Sequence, residues 1–440
     1  MTTKAIRSAL VLGDDGFRPG RVVLVEGDTI VGVVGERDVP RGAQEHDWGD
    51  VALVPGTVNA HGHAFQNLLK GWADDRPFAS WRDDVLYPFS EDLDTGDVYT
   101  GALFAFTEAL RAGVTTTVDF FYLHDDGNGN AEQVIGAARD AGIRLVLARA
   151  LYDVDAPTRA PARYREKTDD AIERCRALAA AHSGEALVSV QPAPHSLHAA
   201  SPETVAAALD LATELDVPCH LHLAEARYER DQVEERYGTT PVRLLAREGL
   251  LGPRLVTIHT VWADDEELDL LAEAGAAVVH CPGANAFLGD GIARLPEMLR
   301  RGIRVALGPD GGCANNRQSV FDEMRQASLM AKARLTDGSA VSAETAFALG
   351  TAGGADALGL PVGAIEAGRR ADLVSLDLAD PSLWPVATLR KQVVSSIQQT
   401  AIDKVMVGGR VVVEGGRPLT VEEPALRREV DAIAARWSGR

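Results

Sequence analysis

Hydrophobic and polar positions change their rhythm twice along this chain. Over the first 55 residues short apolar runs alternate with polar turns. RVVLVEGDTIVGVVGE, residues 21–36, alternates on both sides of a polar EGD, the pattern of a β-hairpin. From about residue 56, short β-branched runs take turns with amphipathic helical stretches. Eight runs read as strands: LVPGTVNA, VTTTVDFF, IRLVLARAL, ALVSVQPA, VPCHLHL, LVTIHTV, AAVVHCP and RVALGPD. Between them lie segments such as PETVAAALDLATEL and DDEELDLLAEAG, with apolar residues at helical spacing. Strand–helix alternation of this regularity predicts a parallel sheet, and eight units in about 300 residues predict a (β/α)8 TIM barrel over residues 56–360. An open doubly wound sheet is the alternative; the absence of a GxGxxG opening a helix after the first strand weakens it. After about residue 360 the text returns to strands, in GAIEAGRRADLVSLDL and DKVMVGGRVVVEGG. Residues 1–55 and 361–425 are expected to form one small flanking β-sandwich domain from both chain ends. Residues 426–440 are expected to end the chain as a helix.

Composition narrows the function classes. Hydrophobic residues make up 46% of the 440, enough for a large core and too many for a disordered chain. The formal net charge is −20 with no block of lysines or arginines, which argues against nucleic acid or an anionic membrane as partner. Four scattered cysteines, Cys175, Cys219, Cys281 and Cys313, form no CxxC, so neither a disulfide framework nor a thiolate metal site is expected. No apolar run approaches the roughly 20 residues of a membrane-spanning helix. The opening MTTKAIRSALVLGDDG has no sustained apolar stretch of the kind a secretory leader carries, so a cytoplasmic protein is expected.

Candidate chemistry collects where a barrel of this kind presents it, at the C-terminal ends of the strands. The first strand run ends in His61 and His63. Side chains two apart on a strand face the same way, so HxH offers two imidazoles to one ion. The fourth run ends in His195 and His198, and the fifth offers His220, His222 and Glu225. The sixth offers His259, the seventh His280 and the eighth Asp310. A lone histidine is more often structural than a ligand. A packed barrel, however, has no structural use for so many imidazoles on one rim. Imidazole with carboxylate suits Zn²⁺ or Fe²⁺, and a catalytic site keeps one coordination position open.

Taken together, HGH, HLHLAE, the histidine of the sixth run, HCPGAN and GPDGGCANN resemble the amidohydrolase superfamily. They most resemble its branch of nucleobase and amidine deaminases, which includes guanine and S-adenosylhomocysteine deaminases and formiminoglutamate deiminase. The resemblance runs over essentially the whole chain, GRRADLV included. It implies one divalent metal, Zn or Fe, held by His61, His63, His222 and Asp310. It also implies Glu225 as proton shuttle and His259 as the group that orients the attacking water or polarises the substrate. His220 is expected to be structural, and His280 is a lesser candidate. The chemistry is consistent: replacing an amine on an amidine carbon needs a proton taken from water and one given to departing ammonia, and one carboxylate can do both in turn. Asp310 can take part while holding the metal. Relatives with two metals carry a bridging lysine on a central strand; IRLVLARAL and ALVSVQPAPH contain none, so one ion is expected.

The substrate signals point two ways. HAFQ, SWRDDVLY, FFYLHDD and PHSLHA resemble the binding loops of formiminoglutamate deiminase, which implies substrate contacts from Arg82, Tyr122 and His195. That family has an arginine where this chain has His198. The strand-eight loop and LLKGWADD, with Trp72, instead resemble the S-adenosylhomocysteine and guanine deaminase side. The acid that grips ribose in nucleoside deaminases falls at Ser90, beside Glu91. Arg82 could equally pair with Asp83 or Asp84 at the surface, and Tyr122 and Trp72 could simply pack. The expected reaction is hydrolytic release of ammonia from a C=N–NH2 group of a small heterocycle or amidine. Formimino hydrolysis, triazine-type dechlorination or dealkylation, and a non-catalytic ligand-binding barrel are the alternatives. Relatives are often oligomers, so a homo-oligomer is implied by resemblance only.

Overall fold

A computed structural model describes residues 2–125, 127–154 and 159–438. Each of the eight expected runs contains a strand, and we label these β1 to β8. Strands β1 (Thr57–Asn59), β2 (Val114–Phe121), β3 (Arg144–Leu151) and β4 (Val188–Pro194) form one parallel sheet. Strands β5 (Cys219–Leu223), β6 (Leu255–His259), β7 (Ala277–His280) and β8 (Arg304–Leu307) form a second. Every residue of β2, β3, β5, β6 and β7 is buried, as both faces of a helix-covered parallel sheet require. Hydrogen bonds join the two sheets at both edges. His222 N–H donates to the His195 carbonyl at 3.1 Å beyond β4, and Ala60 N–H donates to the Leu307 carbonyl at 3.0 Å.

The helices between strands start and stop on local signals. Asp94 and Asp97 form a reciprocal capping box at Thr95–Arg111, as do Asp264 and Glu267 at Asp265–Ala274. Left-handed Gly142 and Gly275 end helices Gly129–Ala141 and Asp265–Ala274. Each helix returns the chain so that all eight strands point the same way. Their C-terminal ends therefore open on one side.

One expectation is corrected here. LVPGTVNA is not one strand. Val51–Pro55 pairs antiparallel with Leu373–Asp377 in a flanking sheet, and only Thr57–Asn59 pairs with β2. The break falls at Gly56, where an added Cβ would lie 2.0 Å from Thr115 Oγ1. Pro55-Gly56 is itself a turn signal, and the chain crosses there from the flanking sheet to β1.

The flanks form two further sheets. One has seven strands drawn from both chain ends; in it Val51–Pro55 lies between Leu10–Gly13 and Leu373–Asp377. The other has four, including the expected hairpin, with Arg21–Glu26 antiparallel to Thr29–Gly35. Ile6, Val23, Ile30, Leu53, Leu373 and Met406 share one buried cluster between them. A buried pair ties the flank to β3: Arg144 donates to Asp372 at 3.0 and 3.1 Å. Helix Glu423–Trp437 packs Trp437 against Phe89 with the rings tilted, 4.6 Å between centroids. Among the described residues no helix is long and apolar enough to cross a membrane.

Candidate functional site

The C-terminal ends of β1, β5, β6 and β8 bring their polar side chains to one point. His61 Nε2 lies 3.4 Å from Asp310 Oδ1, and His63 Nε2 lies 3.5 Å from the same oxygen. The donor atoms of His61, His63 and His222 lie within 4.8 Å of one another, as do those of His61, His259 and Asp310. Backbone carbonyls aim two of the rings. His63 Nδ1 is 2.7 Å from the Phe120 carbonyl, and His222 Nδ1 is 2.8 Å from that of His195. A carbonyl only accepts, so both rings carry their proton on Nδ1 and turn a bare Nε2 to the centre. Gly311 N–H donates to Asp310 Oδ1 at 2.7 Å.

These residues fit a divalent ion. His61 is fully buried, yet among the described residues neither of its ring nitrogens has a hydrogen-bond partner. Ligands bound at 2.0–2.1 Å around a tetrahedral ion stand roughly 3.3 Å apart, close to the spacings observed to Asp310. Burial, with neighbouring imidazoles adding, pushes His61 well below the usual histidine range and His63 down to about 3. Neutral imidazole is the form that binds metal.

Glu225 and His259 complete the centre. His259 Nε2 lies 3.4 Å from Glu225 Oε1 and 3.8 Å from Asp310 Oδ2. Burial raises the Glu225 carboxyl well above its ordinary range, and Asp290, Asp310 and Glu229 reinforce it. Glu229 also accepts the Glu225 backbone N–H at 2.9 Å. Backbone at the strand ends is contorted: Ala224, His259, Thr260 and Asp310 all have left-handed φ, between 48° and 69°. Non-glycine residues held this way concentrate at functional sites.

A cavity with a free volume of about 60 Å³ opens over the centre. Arg82, Tyr122, His195 and His198 line it. Arg82 donates to Asp83 at 2.7 Å while its guanidinium lies over the rings of Tyr228, Tyr87 and Phe78. Trp72 is not part of the wall; it is half-buried against the core just past the turn at Ala64–Leu69. His220 sits deeper and pairs with Gln191 Oε1 at 2.7 Å, and buried His280 does not reach the cavity. Ser90 is fully buried and hydrogen-bonded to Tyr164, and Glu91 is exposed, so neither faces the cavity. No lysine lines it.

The sequence reading missed several wall residues. Gln66 donates to the Tyr122 hydroxyl at 2.7 Å and sat inside the quoted HAFQ. Tyr152, Tyr164 and Tyr228 also face the cavity, and nothing in their spacing marks them. Asn285 touches His259 and sat inside HCPGAN.

A profile of the amidohydrolase family matches residues 52–412. The chain belongs to the amidohydrolase family. It is 36% identical over 432 residues to a 5-methylthioadenosine/S-adenosylhomocysteine deaminase of Syntrophobacter fumaroxidans, covering 97% of this chain and 95% of that one. It is 33% identical to a 5'-deoxyadenosine deaminase of Methanothermobacter thermautotrophicus, covering 98% and 97%. Among solved structures, an adenosine deaminase from Xanthomonas campestris with bound zinc superposes with a TM-score of 0.92 at 27% identity, over 100% of this chain and 99% of that one. This family member is a hydrolase of non-peptide C–N bonds, a metal-dependent hydrolytic deaminase.

Proposed function

We propose that this chain releases ammonia from a C=N–NH2 group of a small heterocycle or amidine, with one divalent ion, Zn²⁺ or Fe²⁺, held by His61, His63, His222 and Asp310. The observation that carries this is the convergence of those four groups with Glu225 and His259 under one aromatic-walled cavity. When bound, such an ion lowers the pKa of a water to about 7. Glu225 takes the proton of the attacking water on Oε1 and returns it to the departing nitrogen. Burial raises its pKa, a perturbation typical of carboxyls that transfer protons. His259 Nε2 faces the same point and stabilises charge developing on the attacked carbon's substituents. Tyr122, Tyr152, Tyr164 and Tyr228 present flat apolar faces, which suit a planar ring and exclude water.

The names of the relatives support a purine-type amine, as in an adenosine. Formimino hydrolysis has its own support, because Arg82, Tyr122 and His195 reach the cavity, although His198 stands where that family has an arginine. In the same reading the two parallel sheets close as a (β/α)8 barrel over residues 56–360, supported by the hydrogen bonds at both edges, and residues 1–55 with 361–425 stack as a sandwich beside it.

Ammonia release across methylthioadenosine, S-adenosylhomocysteine, 5'-deoxyadenosine, guanine, a chlorotriazine and formiminoglutamate tests the substrate. Glu225→Gln is expected to lower kcat by roughly 100-fold or more, with one ion per chain retained. A fully active variant removes the shuttle role; two ions per chain overturn the single-metal reading.

A further inference from the structure

Backbone carbonyls orient the rings of His63 and His222, whereas the ring of His259 meets a side chain. Its Nδ1 faces Asn285 Nδ2 at 3.1 Å. Asn285 lies on Pro282–Leu288, the short helix after β7, and is 1% exposed. The same amide nitrogen lies 3.3 Å from Asp290 Oδ2. Asp290 is itself fixed at both backbone ends. Its N–H donates to the Asn285 carbonyl at 2.9 Å, and its carbonyl accepts Trp262 Nε1–H at 2.9 Å. Trp262 N–H in turn donates to the Ala224 carbonyl, next to Glu225, at 3.0 Å.

The direction of these bonds follows from what each group can do. In its ionised form the Asp290 carboxyl only accepts, so the side of Asn285 turned to it is the NH2. A flipped amide would set a carbonyl oxygen against that carboxylate. The NH2 also reaches His259 Nδ1, which must then offer a lone pair. A neutral imidazole with a bare Nδ1 carries its proton on Nε2. That is the nitrogen facing Glu225 Oε1 and Asp310 Oδ2.

We infer that Asn285 is a positioning residue, which through its amide holds His259 in the Nε2–H tautomer and aims that proton at Glu225 and Asp310, with Asp290 orienting the amide. His259 thereby stands opposite in tautomer to His63 and His222, whose protons sit on Nδ1. The three rings divide accordingly, two offering lone pairs to the centre and one offering a hydrogen. Only the kinetic consequence rests on the deamination reading.

Long-range ¹H–¹⁵N correlation spectra of protein labelled in histidine read the tautomer directly, with His259→Gln assigning the signal. The wild-type ring is expected to show a protonated Nε2. The carboxylate introduced by Asn285→Asp accepts from Nδ1–H, so that variant is expected to invert the pattern. Asn285→Leu removes the donor at similar volume and is expected to leave a mixture of tautomers. On any substrate the wild type turns over, Asn285→Asp is expected to lower kcat by roughly 100-fold or more while KM moves less than about threefold. A protonated Nδ1 in the wild type overturns the inference, as does Asn285→Asp with an unchanged tautomer and kcat. If the wild type releases no ammonia from any compound, the deamination reading fails, and the spectra alone decide the tautomer.

Discussion

Gly308 follows β8 and lies against the backbone of His61, so a single methyl tests how tightly the proposed metal-binding pair is placed. A Cβ at Gly308 would lie 2.7 Å from the His61 carbonyl oxygen, 2.8 Å from its nitrogen and 3.0 Å from its Cβ. None of these atoms is the end of a flexible side chain. Ordinary contact begins at 3.4 Å, so Gly308→Ala must move one backbone past the other by about 0.7 Å, the gap between 2.7 and 3.4 Å. His61 cannot yield freely, because its N–H donates to Asn59 Oδ1 at 3.0 Å and its carbonyl accepts from Asp310 N–H at 3.1 Å. Metal ligands tolerate about ±0.2 Å. The variant is therefore expected to lose at least about tenfold in zinc affinity, or 1.4 kcal/mol, in competition against a chromogenic chelator. Overpacking of this kind costs about 1–3 kcal/mol, which urea unfolding reads separately. Gly136→Ala is the control: its Cβ meets nothing within 4 Å. It lies within helix Gly129–Ala141, so it should gain about 0.5–1 kcal/mol and leave zinc affinity alone. Unchanged zinc affinity and stability in Gly308→Ala would refute the claim that this glycine sets the position of His61.

Two further predictions concern stability. Arg149 meets Glu166 through two bonds of 2.9 Å, and both side chains are essentially unexposed. Arg149→Leu leaves Glu166 with Arg174 as its remaining guanidinium partner and is expected to cost about 3 kcal/mol in urea unfolding; a loss below about 0.5 kcal/mol would contradict the pairing. At His182, burial works against the charged ring, but bonds to Glu185 and Glu132 outweigh it and raise the pKa. Its contribution is therefore fully present below the unfolded value near 6.5 and fades as pH rises through the raised folded value. The stability gap between wild type and His182→Gln should shrink with rising pH across pH 5–9; a gap that widens would reverse the sign.

Much of the candidate site was legible because it lies on strands. His61, His63, His222, His259 and Asp310 sit at or just past the ends of runs whose alternation is visible in the text, and a strand end fixes direction well. Glu225, two residues past the end of its run, took its role from the resemblance. The cavity wall was less legible. Tyr152 and Tyr164 stand on the connection after β3, where no period relates position to direction. Trp72 shows the reverse: an aromatic near the motif whose turn carries it away from the cavity. Asn285 and Asp290 touch the centre only through His259 and Glu225, and no spacing announces a residue that acts through another. The break at Gly56 coincides with a legible Pro-Gly turn, but the apolar residues around it let LVPGTVNA read as one strand.

The donor set is split across the two parallel sheets, and this places the site in time. His61 and His63 come from the first sheet; His222, His259 and Asp310 come from the second. Asp310 follows His61 by 249 residues, 310 less 61. At 5–20 residues per second of synthesis, the histidine pair waits on the order of 10–50 s for its carboxylate. Val51–Pro55 waits longer still for its neighbour Leu373–Asp377. A nascent chain thus carries an open pair of imidazoles beside an unpaired strand edge for most of its synthesis. Ion capture becomes a late event, reserved for a chain that is nearly complete.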